Sequence, residues 1–225
     1  MRVAIIPARG GSKRVPRKNL LDIGGHPMLT YPIRCAQESG LFDEIFVSTE
    51  DSEIADIARA AGASVIDRPP TLADDEVNVD EVCLHGLEAL AELGLAIDTF
   101  CCIYATAIFI TPEDLRSSLA ILDEEPEADI VMGVSAYGIN PVKALRCDGD
   151  FWRLEWPEYA GLRSQLLPHF VASNGTLYWA RSTTFQADGT FYPERLKCYE
   201  LPASRGVDID TSEDLAQARR LMDAP

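Results

Sequence analysis

Short continuous apolar runs alternate along the chain with longer stretches in which apolar positions recur every three to four residues. Runs of the first kind predict strands buried on both faces, and the longer stretches predict amphipathic helices laid over them. Arg2 to Pro7 carries V-A-I-I and stops at Pro-Ala-Arg-Gly-Gly, which places the first buried strand. Pro27 to Ser39 predicts a helix that opens on a proline and ends before Gly40. Ile45 to Ser48 and Ser64 to Ile66 are further strands, separated by a helix over Asp51 to Ala61 that Gly62 stops. Val77 to Leu93 predicts a third helix and Phe100 to Tyr104 the next strand. Thr111-Pro-Glu-Asp is a helix start, with a threonine cap, proline in the first turn and an acid at the third position. Ala128 to Val134 is one more buried strand.

This rhythm predicts an α/β fold: a doubly wound, mostly parallel sheet covered by helices on both faces. Ligands of such sheets bind beyond the carboxyl ends of the strands, where strand order reverses, so the loop after the first strand, residues 8–19, falls at the expected site. After residue 138 the rhythm breaks. Lys143 to Arg146 and Phe151 to Glu155 predict a hairpin around Asp148-Gly149-Asp150, and Leu162 to Phe170 is irregular. Thr176 to Ala180 is a strand, and Thr211 to Met222 a last helix with a Thr-x-x-Asp cap. The expected organisation is one domain over 1–225 with a smaller lobe or arm at about 138–172. Trp152, Trp156 and Tyr159 of that arm form either an interface patch or a local satellite core.

Composition, 47% hydrophobic and 25% charged, is that of an ordinary globular chain. No apolar run approaches the ~18–20 residues needed to cross a bilayer, and Met1 to Ala8 lacks the order of a secretory signal, so a cytoplasmic protein is expected. Charge changes the picture more. Twenty Lys and Arg against thirty-six Asp and Glu give −16, which excludes nucleic acid and anionic membrane as general partners. Yet residues 1–34 carry seven cations against Asp22 alone, a local +6 that leaves −22 on the remainder. A cationic cluster in so acidic a body points to a small anionic ligand held at one place. The six cysteines show neither C-x-x-C nor zinc-type spacing and are expected to be small buried hydrophobes. His85 is expected to be structural, His26 to belong to a turn, and His169 to lie near a substrate segment.

The basic loop reads Pro7-Ala-Arg9-Gly10-Gly11-Ser12-Lys13-Arg14-Val-Pro-Arg17-Lys18-Asn19. It is neither G-x-G-x-x-G nor a Walker-type loop, but its parts are those of a phosphate cradle. Gly10 and Gly11 let backbone N–H groups approach a polyphosphate, Ser12 donates a hydrogen bond, and Arg9, Lys13 and Lys18 supply positive charge. Near the other end, Asp208-Ile209-Asp210 puts two carboxylates on one side of an extended segment, about 6–7 Å apart, a pair able to hold one Mg²⁺ with phosphate and water completing its shell.

The loop resembles the N-terminal motif of the acylneuraminate cytidylyltransferases, which activate acid sugars as CMP derivatives. Arg68-Pro-Pro-Thr-Leu-Ala-Asp74, Pro141-Val-Lys143, Arg163-Ser-Gln165, Asn174-Gly175 and Val207-Asp-Ile-Asp-Thr211 resemble further family segments in the same order. Cys101-Cys-Ile-Tyr104, with Trp156-Pro-Glu-Tyr159, is similar to the pseudaminate subgroup; sialate enzymes usually have glutamine where Tyr104 stands. The resemblance implies a Rossmann-like nucleotidyltransferase fold with a dimerisation and sugar-binding lobe, and a Mg²⁺-dependent homodimer. It implies attack by the anomeric hydroxyl of a nine-carbon 2-keto-3-deoxy acid sugar on the α-phosphate of CTP, with release of pyrophosphate. Arg9, Gly10, Gly11, Ser12 and Lys13 would hold the triphosphate, Lys18 would neutralise its charge, and Asn19 and Arg68 would fix the cytidine. Asp208 and Asp210 would hold Mg²⁺, one of them helping to deprotonate the sugar. Tyr104, Lys143, Arg163, Gln165 and Asn174 would meet the sugar. Legionaminate, sialate, 3-deoxy-manno-octulosonate, or a weakened, non-catalytic nucleotide-binding role are the alternatives. Three departures bear on these: Ala105 and Ile108 replace prolines, Leu166 replaces an aspartate, and Ser173-Asn-Gly stands for Asp-Ala-Gly.

Overall fold

A computed structural model describes residues 1–222, which build a seven-stranded sheet with helices on both faces. Strand β1 (Arg2–Pro7) leads through the basic loop into a small hairpin, β2 (Asp22–Ile23) and β3 (His26–Pro27), and then helix α1 (Thr30–Ser39). Next come β4 (Glu44–Thr49), α2 (Ser52–Ala60), β5 (Ser64–Asp67), α3 (Val79–Glu92), β6 (Thr99–Ile103), α4 (Pro112–Glu124) and β7 (Ile130–Ala136). A separate hairpin, β8 (Leu145–Asp148) and β9 (Phe151–Leu154), precedes β10 (Val171–Arg181), α5 (Ser182–Asp188), β11 (Leu196–Glu200) and α6 (Ser212–Met222). The sheet order is β11-β7-β10-β6-β1-β4-β5, parallel throughout except that β10 runs antiparallel to both β6 and β7. The mostly parallel, doubly wound expectation therefore holds, with one reversed strand in its middle.

Alternation within β1 explains the two cores. Val3 and Ile5 face a cluster with Leu87 and Leu90 of α3 and Phe185 of α5. Ala4 and Ile6 face the opposite cluster with Ile33, Ile54 and Leu115 of α1, α2 and α4. Burial of each isoleucine side chain contributes roughly 1.5–3 kcal/mol, so a strand this apolar is stable only between two helical layers. The helices start where their caps stand. Asp51 accepts N–H bonds from Glu53 and Ile54, while Asn78 with Glu81 and Thr111 with Asp114 form reciprocal capping boxes.

Several boundaries differ from the sequence reading. Pro27 pairs with Asp22 in β3, and α1 begins only at Thr30; Gly24 and Gly25, at φ 60° and 87°, turn a tight hairpin that the helix expectation overran. Helix α3 starts at Val79 because Asn78 is its cap, and the last helix starts at Ser212, after Thr211. Strand β10 begins five residues before the expected Thr176. Neither β11, an edge strand of mixed polarity, nor α5 was expected. Cys35, Cys83, Cys101 and Cys102 are buried as anticipated, with the Cys35 thiol pushed up to about 12 by burial, but Cys147 and Cys198 are exposed. Among the described residues no helix is long and apolar enough to cross a membrane.

Candidate active site

From β1 the chain winds outward through β4 to β5, then returns to β6 on the other side of β1. That reversal leaves a crevice above the carboxyl ends of β1 and β6, and there the protein has a cleft of about 570 Å³. Its floor includes Arg68, which is only 5% exposed. The Arg68 Nε donates to Ser48 Oγ at 3.2 Å, and a terminal nitrogen donates to the Ser48 carbonyl. Burial lowers the Arg68 pKa from its ordinary value. The side chain is thus pinned to β4 beneath the nucleotide-sized space.

The basic loop forms one rim. Ala8 N–H donates to the Ser48 carbonyl at 3.0 Å, and the buried Asn19 side chain donates to the Arg9 carbonyl at 2.9 Å, so both ends of the loop are tied down. Gly10 N–H donates to Glu50 Oε1 at 2.7 Å, and a Cβ at Gly10 would collide with the Asp51 carboxylate. Gly11 faces open space. Arg17 sits in the left-handed region at φ 54° and ion-pairs with Asp51 and Glu53, whose segment follows β4 directly. The Arg17 hydrogen bond holds the Asp51 carboxyl below its usual range.

The cations of the loop meet carboxylates from two other segments. Asp75 bridges Arg9 at 2.7 Å and Lys13 at 2.5 Å. Asp210 bridges Lys18 at 2.9 Å and Arg14 at 3.0 Å, and Lys18 Nζ also donates to the Ile209 carbonyl at 2.6 Å. Val207 and Ile209 are buried with Ile23, Met28, Ile108 and Ala218 in a third small core. That core ties the late segment 207–210 to the hairpin after the basic loop, and the alternation turns Asp208 and Asp210 to the cleft. Asp208 is set back against Gly175, where a Cβ would stand 3.0 Å from its Oδ2. Burial, then the Asp210 charge, pushes the Asp208 carboxyl above its usual range, whereas the hydrogen bond from Lys18 holds Asp210 below it. This leaves carboxylate charge at Asp208 only partly compensated. Among the described residues no third carboxylate, histidine or cysteine joins the two in a metal-sized cluster.

Arg9, Ser12, Lys13, Lys18, Asn19 and Arg68 therefore line one cleft with Tyr104, Asp208 and Asp210. The Tyr104 ring packs edge-on against Tyr178, 5.5 Å between centroids, and burial raises its pKa. Asn174 is placed differently. It is buried beside the cleft, its amide donating to Ser135 Oγ at 3.0 Å and its carbonyl accepting from Thr176 at 2.6 Å, so it shapes the bulge that carries Gly175. Lys143, Arg163 and Gln165 are exposed in the arm, outside the cleft lining; Lys143 Nζ donates to Ser164 Oγ at 3.2 Å, which joins the two segments that carry them. His169 pairs with Glu200 of β11 at 3.1 Å. Trp152 and Trp156 are exposed, which removes the satellite-core reading for them. In the loop after β6, where Ala105 and Ile108 stand, Ala107 N–H donates to the Tyr104 carbonyl at 3.0 Å and Ile108 is buried in the third core.

Sequence reasoning missed Glu50, Asp75 and Thr106. Glu50 and Thr106 follow carboxyl ends of parallel strands, the same positional signal that marked the basic loop, and Asp75 directly follows the R-P-P-T-L-A-D segment.

A cytidylyltransferase family model matches residues 3–222. The chain is 31% identical to a pseudaminic acid cytidylyltransferase of Campylobacter jejuni, over 97% of this chain and 95% of the relative. It is also 31% identical to a CMP-N,N'-diacetyllegionaminic acid synthase of Legionella pneumophila, over 98% and 96%. Its fold is similar to a solved CMP:2-keto-3-deoxy-manno-octonic acid synthetase complexed with CTP, with a TM-score of 0.74, 20% identity and 98% coverage of both chains.

Proposed function

This chain belongs to the cytidylyltransferase family, and from that premise we propose that it transfers CMP from CTP to the anomeric hydroxyl of a nine-carbon 2-keto-3-deoxy acid sugar, releasing pyrophosphate. The observation that carries the reading is the convergence of Arg9, Ser12, Lys13 and Lys18 with Asp208 and Asp210 around one cleft at the reversal point of the sheet. Such a set suits a displacement at phosphorus, where positioning and charge neutralisation supply most of the acceleration. Arg9, Ser12 and Lys13 bind the triphosphate, with Gly11 leaving backbone open beside them. Lys18 sits at the junction of loop and carboxylates and offsets charge as the pyrophosphate departs. Asn19 holds the loop in register, and Arg68 lies beneath the nucleotide.

Asp208 and Asp210 fit a divalent cation: both are hard oxygen donors that line the cleft from one side of the chain, and the charge at Asp208 is only partly compensated by its neighbours. Magnesium is the expected ion, and when bound it neutralises phosphate charge.

Tyr104 and the Trp156-Pro-Glu-Tyr159 segment favour a pseudaminate-like substrate. A legionaminate-type acid is the second reading, carried by the equal identity to the Legionella synthase. Lys143, Arg163 and Gln165 contact the sugar from the arm. Because they stand outside the cleft lining of their own chain, the sugar half is completed in a homodimer, through the exposed Ile139, Phe151, Trp152 and Leu166. Cytoplasmic location is the accompanying expectation.

Pyrophosphate release from CTP with Mg²⁺ and a panel of acid sugars tests the reading. Release that depends on a nine-carbon acid supports it. Release that is equal with ATP or GTP, or absent with every acid sugar, overturns it.

A further inference from the structure

Asp75 occupies two cations of the basic loop. One of its oxygens lies 2.7 Å from Arg9 and the other 2.5 Å from Lys13, so a single carboxylate spans two of the cations assigned to the triphosphate. Each partner's titration reflects the contact. The hydrogen bond with Lys13 holds Asp75 below the usual carboxylate range and raises Lys13 above the usual lysine range. Asp75 lies in the turn between a short helical turn at Pro70–Leu72 and the Asn78 cap of α3, at the cleft wall. That turn is held lightly: its Val77 N–H to Asp74 carbonyl bond is 3.4 Å, and its tie to the loop, Arg9 to the Ala73 carbonyl, is 3.5 Å.

We propose that Asp75 sets the nucleotide's phosphate requirement, acting as an internal counter-anion that occupies Arg9 and Lys13 until a polyphosphate displaces it. The inference rests on the nucleotide reading of the cleft. A neutral nucleoside offers those two cations nothing in exchange, so it leaves both ion pairs intact. A di- or triphosphate brings several negative charges to the same two groups and repels the carboxylate beside them, so the 73–77 turn swings away from the loop. When pyrophosphate departs, the carboxylate takes back both cations, which opposes product rebinding. Six of the seven cations in the first 34 residues thus meet carboxylates arriving from other segments, and Asp75 meets two that are both phosphate-binding candidates.

The test is calorimetric binding of cytidine, CTP and inorganic pyrophosphate to the full chain, wild type and Asp75→Asn. Removal of the charge is expected to tighten CTP and pyrophosphate by about three- to tenfold, the scale of two partly exposed ion pairs, and to leave cytidine unchanged. Asp75→Ala, at the same exposed turn, moves both in the same direction. Asp74→Asn removes one charge from that turn without freeing either cation, and shifts pyrophosphate much less. Pyrophosphate affinity unchanged or weakened in both Asp75 variants overturns the proposal, as does an equal shift in Asp74→Asn, which would reduce the effect to net charge. Wild-type protein that binds cytidine but no pyrophosphate would end the proposal while sparing the nucleotide site. Protein that binds none of the three would end the nucleotide reading itself, and this inference with it.

Discussion

The cleft over the sheet and the arm between β7 and β10 differ in how they hold the cations proposed to meet substrate. Along the cleft's basic loop, Arg9, Lys13, Arg14, Arg17 and Lys18 each reach a carboxylate, and the segments that supply Asp210 and Asp51 are fixed by the buried Ile209 and by the α2 helix cap. In the arm, Arg146 and Arg153 pair with Glu155 and Asp148 at the hairpin's surface, but Arg163 lies exposed, Lys143 reaches a serine hydroxyl, and Phe151 and Trp152 are 71% and 66% exposed. The difference teaches how far one chain goes toward the proposed reaction. The nucleotide half is assembled by the core of a single chain. The proposed sugar half presents charge and apolar surface without the packing that would orient them, and the proposed homodimer would supply that packing.

The largest effect expected is on the cleft side. Asp208→Asn and Asp210→Asn should each reduce turnover about a hundredfold or more, the cost of removing one electrostatic contact with the transition state, while urea unfolding shows a far smaller loss. For Asp208 that follows from its raised pKa: the fold already disfavours its charge, so losing it relieves a buried carboxylate. Near wild-type rates for both variants at saturating Mg²⁺ would remove these residues from the chemistry. On the arm side, Trp152→Glu should dissociate the proposed dimer in sedimentation and raise KM for the sugar by roughly tenfold, the scale of one lost interface anchor, with CTP binding unchanged. A wild-type monomer at assay concentration would show that one chain's arm serves its own cleft.

The smallest effect concerns the hinge of the basic loop on α2. The Asp51 carboxyl is held below its usual range, so the stability it contributes is present above the unfolded value near about 3.9 and is lost as pH falls through its lower folded value. Asp51→Asn keeps a capping side chain but loses the charge. Its urea midpoint should fall less than that of the wild type between pH 5 and the acid transition, the difference being ~1 kcal/mol or less. Parallel curves would show that the Arg17 pair adds nothing to the fold.

The same division governs what could be read before the fold was seen. Strands β1, β4, β6 and β7 were legible as buried apolar runs, and the helices between them by Gly, Pro or a cap, as Val3 to Ile6 and Thr111 illustrate. The hairpin at Gly24-Gly25 was overrun because Pro27 mimics a helix start, and β11 escaped because an edge strand with Lys197 and Glu200 shows no apolar run. The basic loop and Asp208-Ile-Asp210 were legible as local chemistry. What the sequence could not reveal was how distant segments partner: Glu50 accepting from Gly10, Asp75 spanning Arg9 and Lys13, and Asn174 turned to Ser135 instead of the cleft. Those contacts depend on sheet order: the first two on β1, β4 and β5 lying side by side in that order, and the last on β10 entering antiparallel beside β7.

The division of labour between cleft and arm is tested most directly by the two Michaelis constants of Arg163→Lys. An arginine fork binds a carboxylate through two hydrogen bonds, whereas lysine offers a point charge. The account predicts that KM for the acid sugar rises by several-fold to about a hundredfold, as expected for ~1–3 kcal/mol of lost charged hydrogen bonding, while KM for CTP stays where it was. A variant that weakens CTP and leaves the sugar untouched would place Arg163 at the phosphates and contradict the account.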